Sequence, residues 1–146
     1  MEKPEPHPRS VELVASLDDL TRHYLVTALW SSADESDPET GGLPMDENYE
    51  LDDLAPEAIE QAIKDCAAFL AKCGNALCDG VLIRNTSGST PEQMAGHDFW
   101  LTRNGHGAGF GDGDWADPLD DMLRDIAKGF RQVDLYVGDD GRIYAM

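Results

Sequence analysis

The sequence predicts an α+β fold: a small antiparallel sheet made of two hairpins, packed against about three helices. Three observations predict it. Two long stretches carry apolar residues at spacings of three and four. The pattern then changes to short aromatic and β-branched runs. Those runs are bounded by glycine and aspartate turns. A chain of 146 residues with 41% hydrophobic side chains suits one domain with a core of its own.

Residues 1–9 hold three prolines and read as a flexible N-terminal arm, leaving 10–146 as a single α+β domain. The first helix is expected between Ser10 and Ser31, where Leu13, Leu17, Leu20, Tyr24 and Ala28 share one face. Ser16 and Asp19 could form an internal capping box, and Asp18 and Arg22 an i,i+4 pair. Residues 31–54 read as a loop, long enough to be either functional or disordered. Leu43, Met45, Tyr49, Leu51 and Leu54 could pin it to the core.

A second helix is expected from about Ala55 to Leu77. Pro56 fits its first turn, and Ile59, Ile63, Cys66, Leu70, Cys73 and Leu77 form its apolar stripe. "RNTSGSTPEQ" reads as a second loop. "HDFWLTRN" and "AGF" then read as two short strands around "GHG". Asp117-Pro118 marks the start of a third helix that buries Leu119, Met122, Leu123, Ile126 and Phe130. Its first-turn acids Asp120 and Asp121 and last-turn bases Lys128 and Arg131 suit the helix dipole. "VDLYV", the turn "GDDG" and "RIYAM" make a C-terminal hairpin.

Charge bounds function more tightly than pattern does. The formal net charge is -18. Residues 1–63 carry 16 acids against 3 bases, whereas residues 64–146 carry 13 against 8. Self-repulsion on this scale disfavours a compact state and repels phosphates, which argues against direct nucleic-acid or anionic-membrane binding. No run is long and apolar enough for a membrane span, and "MEKPEPHPRS" lacks the apolar segment of a signal peptide. Three cysteines, an odd number, suit a reducing compartment. A cytoplasmic location is the expectation.

The sites that chemistry would suggest do not hold up. "GHGAGFGDG" has glycine at alternate positions, but it neither matches G-x-G-x-x-G before a helix nor contains G-K-[ST]. A tight hairpin accounts for it better. Counting an EF-hand loop from Asp112 puts Asp117 where glycine belongs and Leu123 where glutamate belongs. No C-x-x-C or H-E-x-x-H is present, so neither a metal nor a cofactor is expected. Cys66 and Cys73 read as buried thiols. His97 and His106, flanking the "DFWLTRN" strand, could approach across a hairpin, but they read as satisfied polar residues. No catalytic arrangement stands out, and the chain is read as a binder and not an enzyme.

What remains is the acidity of residues 34–60, which hold eleven acids and no lysine or arginine. They are Asp34, Glu35, Asp37, Glu39, Asp46, Glu47, Glu50, Asp52, Asp53, Glu57 and Glu60. An acidic run is usually a solvated face. Here it lies between two expected helices and is interleaved with apolar anchors. Carboxylates three or four residues apart on a helix sit about 5–6 Å from each other, close to the phosphate spacing along one DNA strand. Glu57 and Glu60 have that spacing, with Asp53 extending the row if it caps the helix. Asp46, Glu47, Glu50 and Asp52 could form a second row. Asp112, Asp114 and Asp117 are a possible second patch. A DNA-binding protein with a basic groove is the partner such a surface fits.

Four blocks, in order, carry a resemblance: "YLVTALWSSADESD", "GGLPMDENYELDDLAPEAIEQAIKDC", "AGHDFWLTRNGHGAGF" and "VDLYVGDDGRIY". They resemble a family of small acidic proteins carried by bacteriophages and mobile elements. "HDFWLTRNGHGAGF" is the most specific. The chain is also similar to anti-CRISPR proteins directed against type I-C systems. That resemblance implies an inhibitor that imitates DNA on the Cascade surveillance complex of CRISPR-Cas. Two departures stand out: residues 79–91 look variable in length, and Gly111 stands where the family commonly has tryptophan. Neither removes an acid, and no catalytic residues carry over. The alternatives are an antirestriction or other DNA-mimic inhibitor, a small-ligand binder or enzyme using the His97–His106 hairpin, and an acidic phage accessory protein without mimicry.

Overall fold

The computed structural model describes residues 3–35, 42–74, 90–106, 109–111, 115–116 and 118–146. The described architecture is α+β: five helices and two separate two-stranded antiparallel sheets. In chain order these are α1 (Pro8–Ala15), α2 (Asp19–Ser31), β1 (Ala33–Asp34), β2 (Leu43–Pro44), α3 (Pro56–Cys73), α4 (Pro91–Arg103), α5 (Leu119–Lys128), β3 (Leu135–Val137) and β4 (Ile143–Ala145). Two 3-10 turns, Met45–Glu47 and Leu51–Asp53, lead into α3.

The first expected helix is two helices. The break at Ser16–Asp18 lets Asp18 cap α2, its carboxylate accepting the Thr21 N–H at 2.8 Å. Arg22 donates to the Val14 carbonyl at 2.6 Å and closes the corner. Helix α1 starts earlier than the expected Ser10, at Pro8. Lys3 is tied down as well, donating to the Asn48 carbonyl and the Asp53 carboxylate, each at 2.8 Å.

Helix α3 starts at Pro56 as its missing N–H allows, and stops at Gly74 with φ 60. Ile59, Cys66 and Cys73 are buried, with Ile63 and Leu70 packed at the margin. Helix α5 buries Leu123, but Met122 is exposed.

The largest difference lies at "HDFWLTRN", which is the second half of helix α4 and not a strand. Thr90 and Gln93 form a reciprocal capping box, and Pro91 occupies the first turn. Ala95, Gly96 and the run from Asp98 to Arg103 are buried, so the helix lies in the centre of the molecule. It packs most extensively against α2. Gly96 makes that approach possible, because its Cα faces the α2 backbone at Leu20 and Tyr24.

Around α4 an aromatic cluster forms. Phe99 stacks on Phe69 at 4.3 Å and meets Tyr24 at 5.2 Å and Phe130 at 4.9 Å. Arg103 is buried in it, 5.4 Å from the Phe99 and Phe130 rings. It donates to Asp65 at 2.8 Å, to the Tyr24 hydroxyl at 2.9 Å and twice to the Arg131 carbonyl. Asp98 is fully buried, accepting from Trp115 Nε1 and from His97 Nδ1 at 2.8 Å each. Every one of these charges is partnered, as a buried charge must be.

Burial pushes the Tyr24 hydroxyl and the Cys66 thiol far up, and pushes Cys73 up to about 11. Because the folded values are raised, the unfolded chain releases these protons first, from about pH 9 for thiols and about 10 for the phenol. The stability they contribute is complete below pH ~9 and is lost above it. The melting temperature is therefore expected to be flat up to about pH 8.5 and to fall steadily towards pH 11. A melting temperature unchanged up to pH 11 would show that these groups are not buried as described.

Candidate functional site

The acidic segment folds back on the core through apolar residues four and five positions apart. Met45, Tyr49 and Leu54 are buried, with Met45 and Leu54 almost completely enclosed. Between those anchors Asp46, Glu47 and Glu50 are exposed. The turns that carry them are locally closed by Asn48 and Tyr49 N–H groups donating to the Met45 carbonyl and by Leu54 N–H donating to Leu51. The sequence sets this inside–outside order by alternating apolar and acidic residues through two tight turns.

The eleven candidate acids divide by environment. Glu35, Asp46, Glu47, Glu50 and Glu57 are exposed, and Asp52 is half-buried. Among the described residues none of these six is ion-paired to a lysine or arginine. Glu60 is exposed but meets Arg9 at 3.2 Å. Asp37 and Glu39 lie outside the described residues, as do Asp112, Asp114 and Asp117 of the second patch.

Two of the expected contact acids are structural instead. Asp53 is buried, pairs with Lys3 at 2.8 Å and accepts the Glu50 N–H at 2.8 Å. It caps the 3-10 turn, whereas α3 is capped at Ala55 with no side-chain bond, so Asp53 does not extend the Glu57–Glu60 row. Asp34 is also buried, in β1. The density of charge along the sequence does not separate a turn cap from a surface group.

Glu57 sits close to a part of the C-terminal hairpin that the sequence did not connect with it. Its charge raises the Tyr144 hydroxyl, after the larger effect of the Asp140 hydrogen bond. The Tyr144 hydroxyl donates to Asp140 at 2.6 Å, and that bond holds the Asp140 carboxyl below the usual range. Tyr136 stacks on Tyr144 with ring centroids 5.8 Å apart. The hairpin lies beside the start of α3, where Ala55 N–H donates to the Ile143 carbonyl at 2.7 Å, and its turn carries the exposed Asp139 and Asp140.

The histidines do not form a site together. His97 lies on α4 and His106 follows its C-terminal cap. The helical residues between them alone separate the two by about 10 Å along the axis. The premise of two histidines meeting across a hairpin is thereby removed. Among the described residues no group of three or more His, Cys, Asp and Glu side chains is arranged to hold a metal ion, and no helix is long and apolar enough to cross a membrane. The family-resembling block from Ala95 to Phe110 contributes mostly buried residues: Phe99, Trp100, Leu101, Arg103, Gly109 and Phe110.

No protein-family model, curated protein or solved structure matches this chain.

Proposed function

We propose that the protein is an inhibitor that presents a fixed array of carboxylates to the basic, DNA-binding groove of a type I-C Cascade complex and blocks target DNA recognition. The observation that carries this reading is the placement of Asp46, Glu47 and Glu50 on turns pinned by buried Met45, Tyr49 and Leu54. A charge held in place before binding loses little conformational freedom on binding. The net charge of -18 adds long-range attraction to a basic partner. The sequence resemblance supplies the identity of the complex. The family-resembling block supplies the scaffold, because its side chains fill the core and leave the acids facing out.

A salt series tests the reading. Binding to the guide-loaded, nuclease-treated complex is expected to weaken by about tenfold or more between low and moderately high salt, because exposed charges are screened over a Debye length of about 8–10 Å. An affinity that stays level across the series would contradict charge mimicry.

A further inference from the structure

We propose that the groove between β1 and β3 is a strand-pairing site for an extended, lysine- or arginine-bearing peptide segment of a partner protein. The inference rests on backbone direction. In the first sheet Met45 N–H donates to the Ser32 carbonyl at 2.9 Å, and Ala33 is opposite Pro44. Ala33 is thus in a pair without ladder bonds, as Pro44 with its missing N–H requires, and turns its N–H and C=O away from β2. In the second sheet Asp134 and Met146 exchange bonds of 3.0 and 2.9 Å, and Gly138 N–H donates to Arg142 at 2.8 Å. By the same alternation, Leu135 and Val137 turn their backbone groups away from β4.

These outward-facing residues meet. Ala33 and Glu35 from the first sheet and Leu135 and Val137 from the second line one cavity of about 180 Å³. A neighbouring cavity of about 540 Å³ shares Ala33, Glu35, Leu135 and Tyr136 with it. Among the described residues neither edge has a strand partner on this side, so the two sheets face one groove that an added strand can satisfy. The far edge of β4 is already used, since Ala55 N–H donates to the Ile143 carbonyl at 2.7 Å.

The side chains indicate what such a strand would carry. Buried Trp100 and Leu135 form an apolar floor, while Glu35 and Asp134 are exposed on the walls. Successive side chains of an extended peptide point to opposite sides. One set would meet the floor, and the other would meet carboxylates on a protein of net charge -18. A peptide alternating apolar and basic residues fits. This site goes beyond charge mimicry, since it is directed by backbone hydrogen bonds and holds whichever complex the acidic face meets.

The test uses the whole protein and a short labelled peptide alternating valine and lysine, followed by fluorescence anisotropy. Ala33→Pro removes the outward donor of β1 and leaves the Met45–Ser32 bond intact. Ser32, with φ -101 and ψ 144, already has the extended conformation that precedes proline. Val137→Pro removes the corresponding donor of β3 and serves if the first variant fails to fold. Saturable binding to the parent protein is expected, about tenfold weaker on either folded variant. A peptide N-methylated at alternate positions should lose a similar factor. Equal affinity for the methylated and unmethylated peptides would overturn the proposal, since charge alone would then explain binding. A concentration-dependent dimer that Ala33→Pro removes would also overturn it, because the occupant would be a second copy. The probe contains no Cascade component, so failure here is distinct from failure of the inhibitor reading.

Discussion

The combined substitution Asp46→Lys, Glu47→Lys and Glu50→Lys is expected to weaken partner binding at least about a hundredfold, close to 3 kcal/mol. All three carboxylates are exposed and belong to turns whose anchors are other residues. Lysine in their place would set like charge against a basic groove, which costs several kcal/mol. Glu50→Lys removes the Glu50 half of the capping box it shares with Asp53, a cost of about 1 kcal/mol, and lowering the net charge from -18 relieves self-repulsion in the opposite direction. Thermal melting should still show one cooperative transition, within a few degrees of the parent's. Asp53→Lys provides the contrast. It places a second cation beside Lys3 and removes the acceptor of the Glu50 N–H. A loss of about 3 kcal/mol or more in stability is expected there. If the triple variant melts normally and still binds with parental affinity, the contact surface lies elsewhere.

Gly96→Ala is expected to be strongly destabilising for a single methyl. The added Cβ would be driven into the Leu20 carbonyl, and it would come within 2.9 Å of the Tyr24 backbone nitrogen. Both are main-chain atoms of α2, so no side-chain rotation relieves the overlap and the two helices must part. Overpacking typically costs 1–3 kcal/mol, and a helix–helix displacement belongs at or beyond the upper end. For a domain of this size that corresponds to a melting temperature lower by about 10 °C. Gly129→Ala is the control. Its φ is -70, and the nearest atom to the added methyl is the Ile126 carbonyl at 3.3 Å. It should change stability by less than about 1 kcal/mol. Equal effects of the two substitutions would show that α2 and α4 do not approach each other as described.

The parts of the fold that were legible in sequence are those with one buried face. Helix α3 announces itself through Ile59, Ile63, Cys66, Leu70 and Cys73, and α5 through its charges at both ends. The C-terminal hairpin shows its two apolar runs and its glycine–aspartate turn. Helix α4 looks like a strand in sequence because it is buried on nearly all sides, which removes the contrast between faces that reveals a helical period. Phe99, Trp100 and Thr102 also have strong strand preference. The signal that could have corrected the reading is the Thr90-Pro91-Glu92-Gln93 start, a capping box with proline in the first turn. The acidic face was legible as a composition. Its members were not, because burial of Asp34 and Asp53 and the Arg9–Glu60 pair depend on contacts between distant segments. Lys3 reaches Asp53 from the other end of a fifty-residue separation, a contact invisible to any local pattern. The same limit hid the groove between β1 and β3, which joins segments about a hundred residues apart.

The inhibitor reading implies competition for the step at which the target first engages duplex DNA. For a CRISPR complex that step is reading the short adjacent motif, before guide pairing begins. Order-of-addition gel shifts with guide-loaded type I-C complex test it most directly. Protein added before target DNA is expected to block the shift. Protein added after a complete R-loop has formed should displace little DNA over the same incubation, because the basic groove is already occupied, and the complex should remain assembled in both cases. Equal inhibition in either order would contradict occupation of the DNA groove, as would dissociation of the complex into its subunits.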